Sequence, residues 1–183
     1  MSKIAIFFGE GFEEIEALTV VDLCRRAGID IQMVSITGEA VVTGSHNIAV
    51  GMDAKIEEID FSDLDMMILP GGMPGTKNLE AHGALMEKLD AYYADGKYIA
   101  AICAAPSIFG HRGYLKGRKA CCFPGYEKEL EGATVTMDSV TQDGHVITSR
   151  GMGTAMDFGL KIVEVLGGKE LAEQKAASIL YRL

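Results

Sequence analysis

Apolar residues gather in short runs rich in β-branched and aromatic side chains: "KIAIFF" (3–8), "IDIQMVSI" (29–36), "DLDMMILPGG" (63–72) and "KYIAAI" (97–102). Runs that stay apolar on successive positions predict strands covered on both faces. Between them the period becomes helical. "EEIEALTVVDLCRRAG" places apolar residues at 17, 20, 21 and 24, two arginines in its last turn and Gly28 at the C′ position, which predicts a helix that stops there. "NLEAHGALMEKLDAYYADG" (78–96) predicts a second long helix. "GTAMDFGLKIVEVLGG" (153–168) predicts another, opened by Thr154 and Asp157 as a capping box, and a last helix runs to the C-terminus. "VVTGSHNIAVGM" (41–52) is a short extended excursion broken at Gly44, and a short helix follows Cys103. "KACCF" (119–123) is a strand, and "ATVTMDSVTQDGHVITS" (133–149) is a hairpin turning at Asp143-Gly144.

Buried strands alternating with amphipathic helices imply a mainly parallel sheet with helices on both faces. The expected fold is α/β, flavodoxin-like and doubly wound. With no linker, repeat or low-complexity segment, residues 1–183 form a single domain. In such sheets ligands bind beyond the carboxyl ends of the strands. Three stretches should meet there: "GEGFEEIE" after the first strand, "PGGMPG" after the third and Cys103 after the fourth.

The net charge of −9 and the lack of a clustered Lys/Arg surface argue against nucleic acid as the main ligand. No stretch approaches the roughly 18 apolar residues of a membrane span. The apolar run before Gly9 is also too short for a signal-peptide core. The expected location is therefore the cytoplasm, where the cysteines at 24, 103, 121 and 122 remain thiols. No CxxC pair is present, so no zinc site built on cysteines is expected.

In "AAICAAP" a thiol sits where a buried strand turns into a helix, with Ala101 and Ala105 two residues to either side. Small neighbours are what a nucleophile elbow requires, because bulk there clashes with the tight backbone. Pro106 suits the first turn of the following helix, whose dipole would favour thiolate. Set against this, Cys in an apolar run is commonly a buried structural residue. Gly71 and Gly72 end a buried strand, and their amides together with that of Ala104 would line an oxyanion or substrate pocket. A simple tight turn explains the glycines equally well. Glu13 and Glu14 complement a helix dipole, whereas Glu16, between Ile15 and Ala17, can point inward. Beside a thiolate, Glu16 is compatible only as a protonated partner sharing one proton with it.

"GFEEIEA", "ILPGGMPG", "AAICAAP" and "TSRGMGTAMDFGLKIVE" together resemble the ThiJ/PfpI superfamily, in the branch of Parkinson disease protein 7 and the bacterial YajL-like proteins. The likeness runs through nearly the whole chain. It implies Cys103 as the reactive, oxidation-prone cysteine and Glu16 as its protonated partner. It also implies that the Gly72 and Ala104 amides hold an oxyanion, and that the protein is a homodimer. The activities it implies are glyoxalase- or deglycase-type chemistry on methylglyoxal or glyoxal and their adducts, or redox-dependent chaperoning, in protection from oxidative stress. No metal or organic cofactor is implied; the partner is a small reactive carbonyl or glycated substrate. Two departures stand out: Phe123 occupies a position where some relatives have histidine, and His46 one where arginine is common.

Rival thiol chemistries fit less well. The peptidase relatives place an imidazole directly after the thiol, where this chain has Ala104. Amidotransferases with a similar elbow use His-x-Glu, and none of His46, His82, His111 or His145 is followed two residues later by Glu. Two readings remain: an enzyme whose Cys103 adds to a reactive carbonyl, and a redox-responsive protein whose Cys103 oxidises to sulfinate with little turnover.

Overall fold

A computed structural model describes residues 2–181. The strands are β1 (Lys3–Phe8), β2 (Asp30–Ser35), β3 (Val41–Thr43), β4 (Ala49–Gly51), β5 (Ala54–Lys55), β6 (Met66–Leu69), β7 (Tyr98–Ile102), β8 (Lys119–Ala120), β9 (Thr134–Val135), β10 (Val140–Asp143) and β11 (Val146–Ser149). The helices are α1 (Glu14–Arg26), α2 (Gly75–Ala81), α3 (Gly83–Ala94), α4 (Pro106–His111), α5 (Ala155–Gly167) and α6 (Lys169–Ser178). Among the described residues a seven-stranded sheet runs β10-β11-β7-β6-β1-β2-β5. All its pairings are parallel except the edge hairpin β10–β11. The expected α/β architecture is the one observed.

Residues alternate faces along each strand, which divides the core in two. Ile4, Ile6 and Phe8 of β1 join Ile68, Ile102 and Val20, Phe158 and Ile162 of α1 and α5. Ala5 and Phe7 join Met67, Leu69, Ala101 and Leu85, Leu89, Ile108 and Phe109 of α3 and α4. Each large side chain buried this completely contributes about 1.5–3 kcal/mol. Because both faces are covered, the strands read as continuous apolar runs.

Several boundaries differ from the sequence expectations, and the strand expected over 119–123 ends at Ala120. The helix expected over 78–96 starts at Gly75 and breaks at His82, whose extended backbone (ψ 94°) ends α2. The His82 ring then accepts the Leu85 amide, 3.2 Å, and opens α3. Thr154 makes no cap to α5. Its hydroxyl turns back to accept the amides of Arg150 (3.2 Å) and Gly151 (3.1 Å), and Asp157 accepts from the Tyr181 hydroxyl instead, 2.7 Å. Only β10–β11 of the expected 133–149 hairpin pair with each other, since Thr134–Val135 lies parallel to Lys119–Ala120. The last helix ends at Ser178, and the final two residues lie outside the described range.

The register positions the site. Leu69 pairs with Ala101 and Ser149 with Ile102, so β6, β7 and β11 finish level with one another. The loops beginning at Pro70, Cys103 and Arg150 therefore emerge side by side.

Candidate active site

Cys103 is the first residue past β7 and adopts φ +67°, a left-handed conformation that costs a non-glycine residue roughly 1–3 kcal/mol. Two backbone bonds hold it there: its amide donates to Ser149 O (3.0 Å), and its carbonyl accepts from Phe123 N (2.8 Å). Ala101 and Ala105 are fully buried beside it, as a tight elbow requires. The sharp turn brings the Ala104 amide back toward the sulfur, and the Gly72 amide reaches it from the neighbouring loop. Helix α4 has six residues and begins at Pro106. Local amides, more than a long helix dipole, therefore face the thiol.

Glu16 projects from the first turn of α1 and is 1% exposed. Its carboxyl hydrogen-bonds the Cys103 thiol, and its Oε2 accepts the Gly71 amide at 3.1 Å. Gly71 is the hub of this arrangement. A Cβ there would lie 2.5 Å from Cys103 Cβ, 2.6 Å from Glu16 Oε2 and 3.1 Å from the sulfur. Any side chain would drive acid and thiol apart. Gly72, at φ +93°, lies so close to α1 that a Cβ would meet Glu13 N at 2.4 Å. The Glu13 amide in turn donates to Gly71 O, 2.9 Å, clasping the loop to the helix.

Burial is the largest influence on both groups. It pushes the Glu16 carboxyl up to about 7, against the thiol hydrogen bond and the Gly71 amide, with the Glu13 charge adding to the rise. It also pushes the Cys103 thiol up to about 12, joined by the Glu16 charge and hydrogen bond and opposed by the Ala104 and Gly72 amides. The sequence leads to a depressed thiol; with the facing carboxyl ionised, apolar surroundings and that charge outweigh the amides and push the thiol the other way. Placing the proton on Glu16 removes the repulsion and supplies a donor to the sulfur. The first proton lost on raising pH belongs to the pair, with the carboxyl setting the range near neutrality.

The five residues expected in the site come together, with one difference of role. The Gly71 amide is engaged by Glu16, which leaves the Gly72 and Ala104 amides toward the sulfur. The sequence assigns Ser149 and Gly151 no site role and Thr154 only that of a helix cap, although "TSRGMGTAM" carries all three. Ser149 fixes the elbow, and Thr154 holds the loop carrying Gly151.

The remaining thiols are buried. Cys24 is pushed up to about 12 by burial, as is Cys122, and the Cys121 thiol donates to Thr148 O, 3.3 Å. The four histidines lie outside the elbow. His46 Nδ1 is 2.9 Å from Glu14 Oε2, and His111 sits between Glu80 and Glu129. His82 caps α3, and His145 packs on Tyr93. Among the described residues, Glu13, Glu14 and His46 form the one group of three His, Cys, Asp or Glu side chains close enough to share a metal ion, with their ligand atoms within 4.8 Å of one another. The hydrogen bonds of His46 to Glu14 account for that closeness. No described helix is long and apolar enough to cross a membrane.

A sequence profile described as the DJ-1/PfpI family matches residues 2–165. The chain is 36% identical over 182 residues to Protein DJ-1 homolog B of Arabidopsis thaliana, covering 98% of this chain and 42% of that protein. It thus spans less than half the length of that relative. It is 33% identical over 170 residues to the glutathione-independent glyoxalase DJR-1.2 of Caenorhabditis elegans, covering 92% of this chain and 90% of that one. Among solved structures, oxidized Toxoplasma gondii DJ-1 matches with a TM-score of 0.95 at 33% identity, over 100% of both chains. With this fold, this elbow and these matches, the chain belongs to the DJ-1/PfpI family.

Proposed function

We propose that the protein is a cysteine-dependent glyoxalase- or deglycase-type enzyme acting on methylglyoxal or glyoxal and their adducts, as a cytoplasmic homodimer in protection from oxidative stress. The observation that carries this reading is the Cys103 sulfur hydrogen-bonded to the buried Glu16 carboxyl, with the Gly72 and Ala104 amides facing the sulfur. The similarity to a relative named a glutathione-independent glyoxalase supports the substrate class.

In the proposed reaction the Cys103 sulfur bonds to the aldehyde carbon of methylglyoxal while the carbonyl oxygen takes the proton held by Glu16. The product is a hemithioacetal and a Glu16 carboxylate. The two amides stabilise the developing oxyanion, where each such donor is worth about 2.7–4 kcal/mol. Glu16 then removes the proton from the former aldehyde carbon and returns one to the adjacent carbon, while the hydroxyl proton passes from the first oxygen to the second, giving a lactoyl thioester. Water cleaves the C–S bond, releasing lactate and restoring the shared proton. Substrate and water enter and lactate and one proton leave, so the redox change is internal to the substrate.

Lactate formation from methylglyoxal tests this directly. Cys103→Ser and Glu16→Ala should each abolish it, and persistence in either would contradict the mechanism. A second reading is favoured by the same amides, since they suit a sulfinate anion: Cys103 oxidises and acts as a sensor. Glu16→Gln separates the two. It retains a donor to the sulfur but cannot relay protons, so it should still form sulfinate under limited peroxide while making no lactate. Absence of turnover in the parent protein would leave the sensor reading standing.

A further inference from the structure

Phe123 is the one exposed phenylalanine among the described residues, at 46%, while Phe7, Phe8, Phe12, Phe109 and Phe158 are fully buried. Core formation therefore does not explain it. Its position is nonetheless well fixed, because its amide donates to the carbonyl of Cys103, 2.8 Å. Its ring lies on Gly151: a Cβ there would come within 3.1 Å of ring Cδ2, 3.6 Å of Cε2 and 3.8 Å of Glu16 Oε1. Gly151 has an extended backbone (φ 163°) that any residue can adopt. What keeps a side chain out is the space that ring and carboxylate share.

The two oxygens of Glu16 consequently differ. Oε2 is held by the Gly71 amide on the sulfur side, whereas Oε1 faces the glycine gap under the ring. In the proposed reaction the acid moves a proton between the two carbonyl carbons of a 2-oxoaldehyde R–CO–CHO. With the aldehyde carbon on Cys103 and the adjacent carbon within reach of Glu16, the group R extends toward Phe123.

We propose that Phe123 is the specificity-determining wall for R, favouring apolar and above all aryl 2-oxoaldehydes over unsubstituted or sugar-derived ones. The turnover part of this proposal rests on the glyoxalase reading; the placement of R against the ring does not. An aromatic contact adds to what area burial gives, and an apolar group in a pocket typically discriminates about 10-fold or more.

Two measurements test it. The first is the ratio of kcat/KM for phenylglyoxal to that for methylglyoxal in the parent protein and in Phe123→Ala, Phe123→Leu and Phe123→Tyr. The ratio should fall about 10-fold in the alanine variant, fall less in leucine and be retained in tyrosine. The second needs no turnover: the ratio of Cys103 alkylation rates by phenacyl bromide and bromoacetone, with the labelled peptide identified by mass. Here the sulfur forms a C–S bond as the C–Br bond breaks, bromide leaves and the thiol proton passes to buffer. The alkylation ratio should follow the same order of variants. An alkylation ratio that does not change from parent to alanine overturns the inference, whatever the turnover. No turnover on either oxoaldehyde, together with a changed alkylation ratio, refutes the glyoxalase reading and keeps the wall. A tyrosine variant that loses the ratio as fully as alanine also overturns the inference, because the aryl face would then have no part in selection.

Discussion

Near neutral pH, Cys103 and Glu16 titrate as a unit, and this sets how the thiol reacts. With both groups protonated the sulfur is a poor nucleophile. Once the pair has lost a proton, the reactive form is thiolate beside carboxylic acid. Glu16 is raised to about 7 by burial, so the alkylation rate of Cys103 should increase as pH rises through about 7. Glu16→Gln should remove that limb and leave a single titration of the thiol; stopped-flow alkylation of both proteins from pH 5 to 10 checks it. The same shift has a sign in folding. A buried acid raised from the ordinary 4.5 to about 7 takes up a proton on folding between those values, so its burial costs stability as pH rises through that window. The elbow itself was legible in the sequence, because small residues around a cysteine after a buried strand serve little purpose except to let the backbone turn. The direction of the thiol shift was not legible, since it depends on a carboxylate 87 positions away in the chain being folded against it.

The working elements are three loops held by backbone bonds at the carboxyl ends of β6, β7 and β11. The loop after β6 touches α1 through its main chain, with Glu13 N donating to Gly71 O and Gly72 packed against Gly11 and Phe12. Gly72→Ala would place a Cβ 2.4 Å from Glu13 N while demanding φ +93°. Since the atom it meets is backbone, relief requires the loop to move off α1. Chemical denaturation should show a loss of roughly 3 kcal/mol, from strain and broken packing together, and the Cys103 alkylation limb near neutrality should flatten as Glu16 and the thiol separate. Undiminished stability would mean the loop is not clasped as described. The strands of this layer were legible in the sequence as uninterrupted apolar runs. The break at His82 was not, because a ring nitrogen capping Leu85 imitates an ordinary helical surface residue until the chain turns there.

At the scale of the whole molecule, several large apolar side chains are exposed: Ile15 on α1, Ile48 on the β3–β4 turn, Met152 just before α5 and Met156 within it. The β3–β4 turn that carries Ile48 is fastened to α1 by Ser45 N to Phe12 O (2.8 Å) and His46 N to Glu14 Oε1 (2.8 Å). Glu14 is thereby held down to about 2, the His46 and backbone hydrogen bonds outweighing burial. Large apolar side chains left in water are what a subunit interface would cover, and they support the proposed homodimer. Sedimentation should give twice the chain mass, and Ile48→Glu should shift the protein toward monomer. A monomeric parent at micromolar concentration would refute the dimer.

Sequence alone determined that this chain makes a doubly wound sheet with one thiol at its carboxyl edge. That information is local: burial on both faces writes apolar runs, helices write their period, and an elbow needs small neighbours. Only the tertiary structure decided that Gly71 serves Glu16, that Ser149 holds the elbow and Thr154 the loop of Gly151, and that Phe123 stands over Gly151. Those facts depend on strand register and on atoms brought within a few ångströms from positions 16, 71, 103, 123 and 151. Electrostatics at that range answers to distance in space, which residue order does not record.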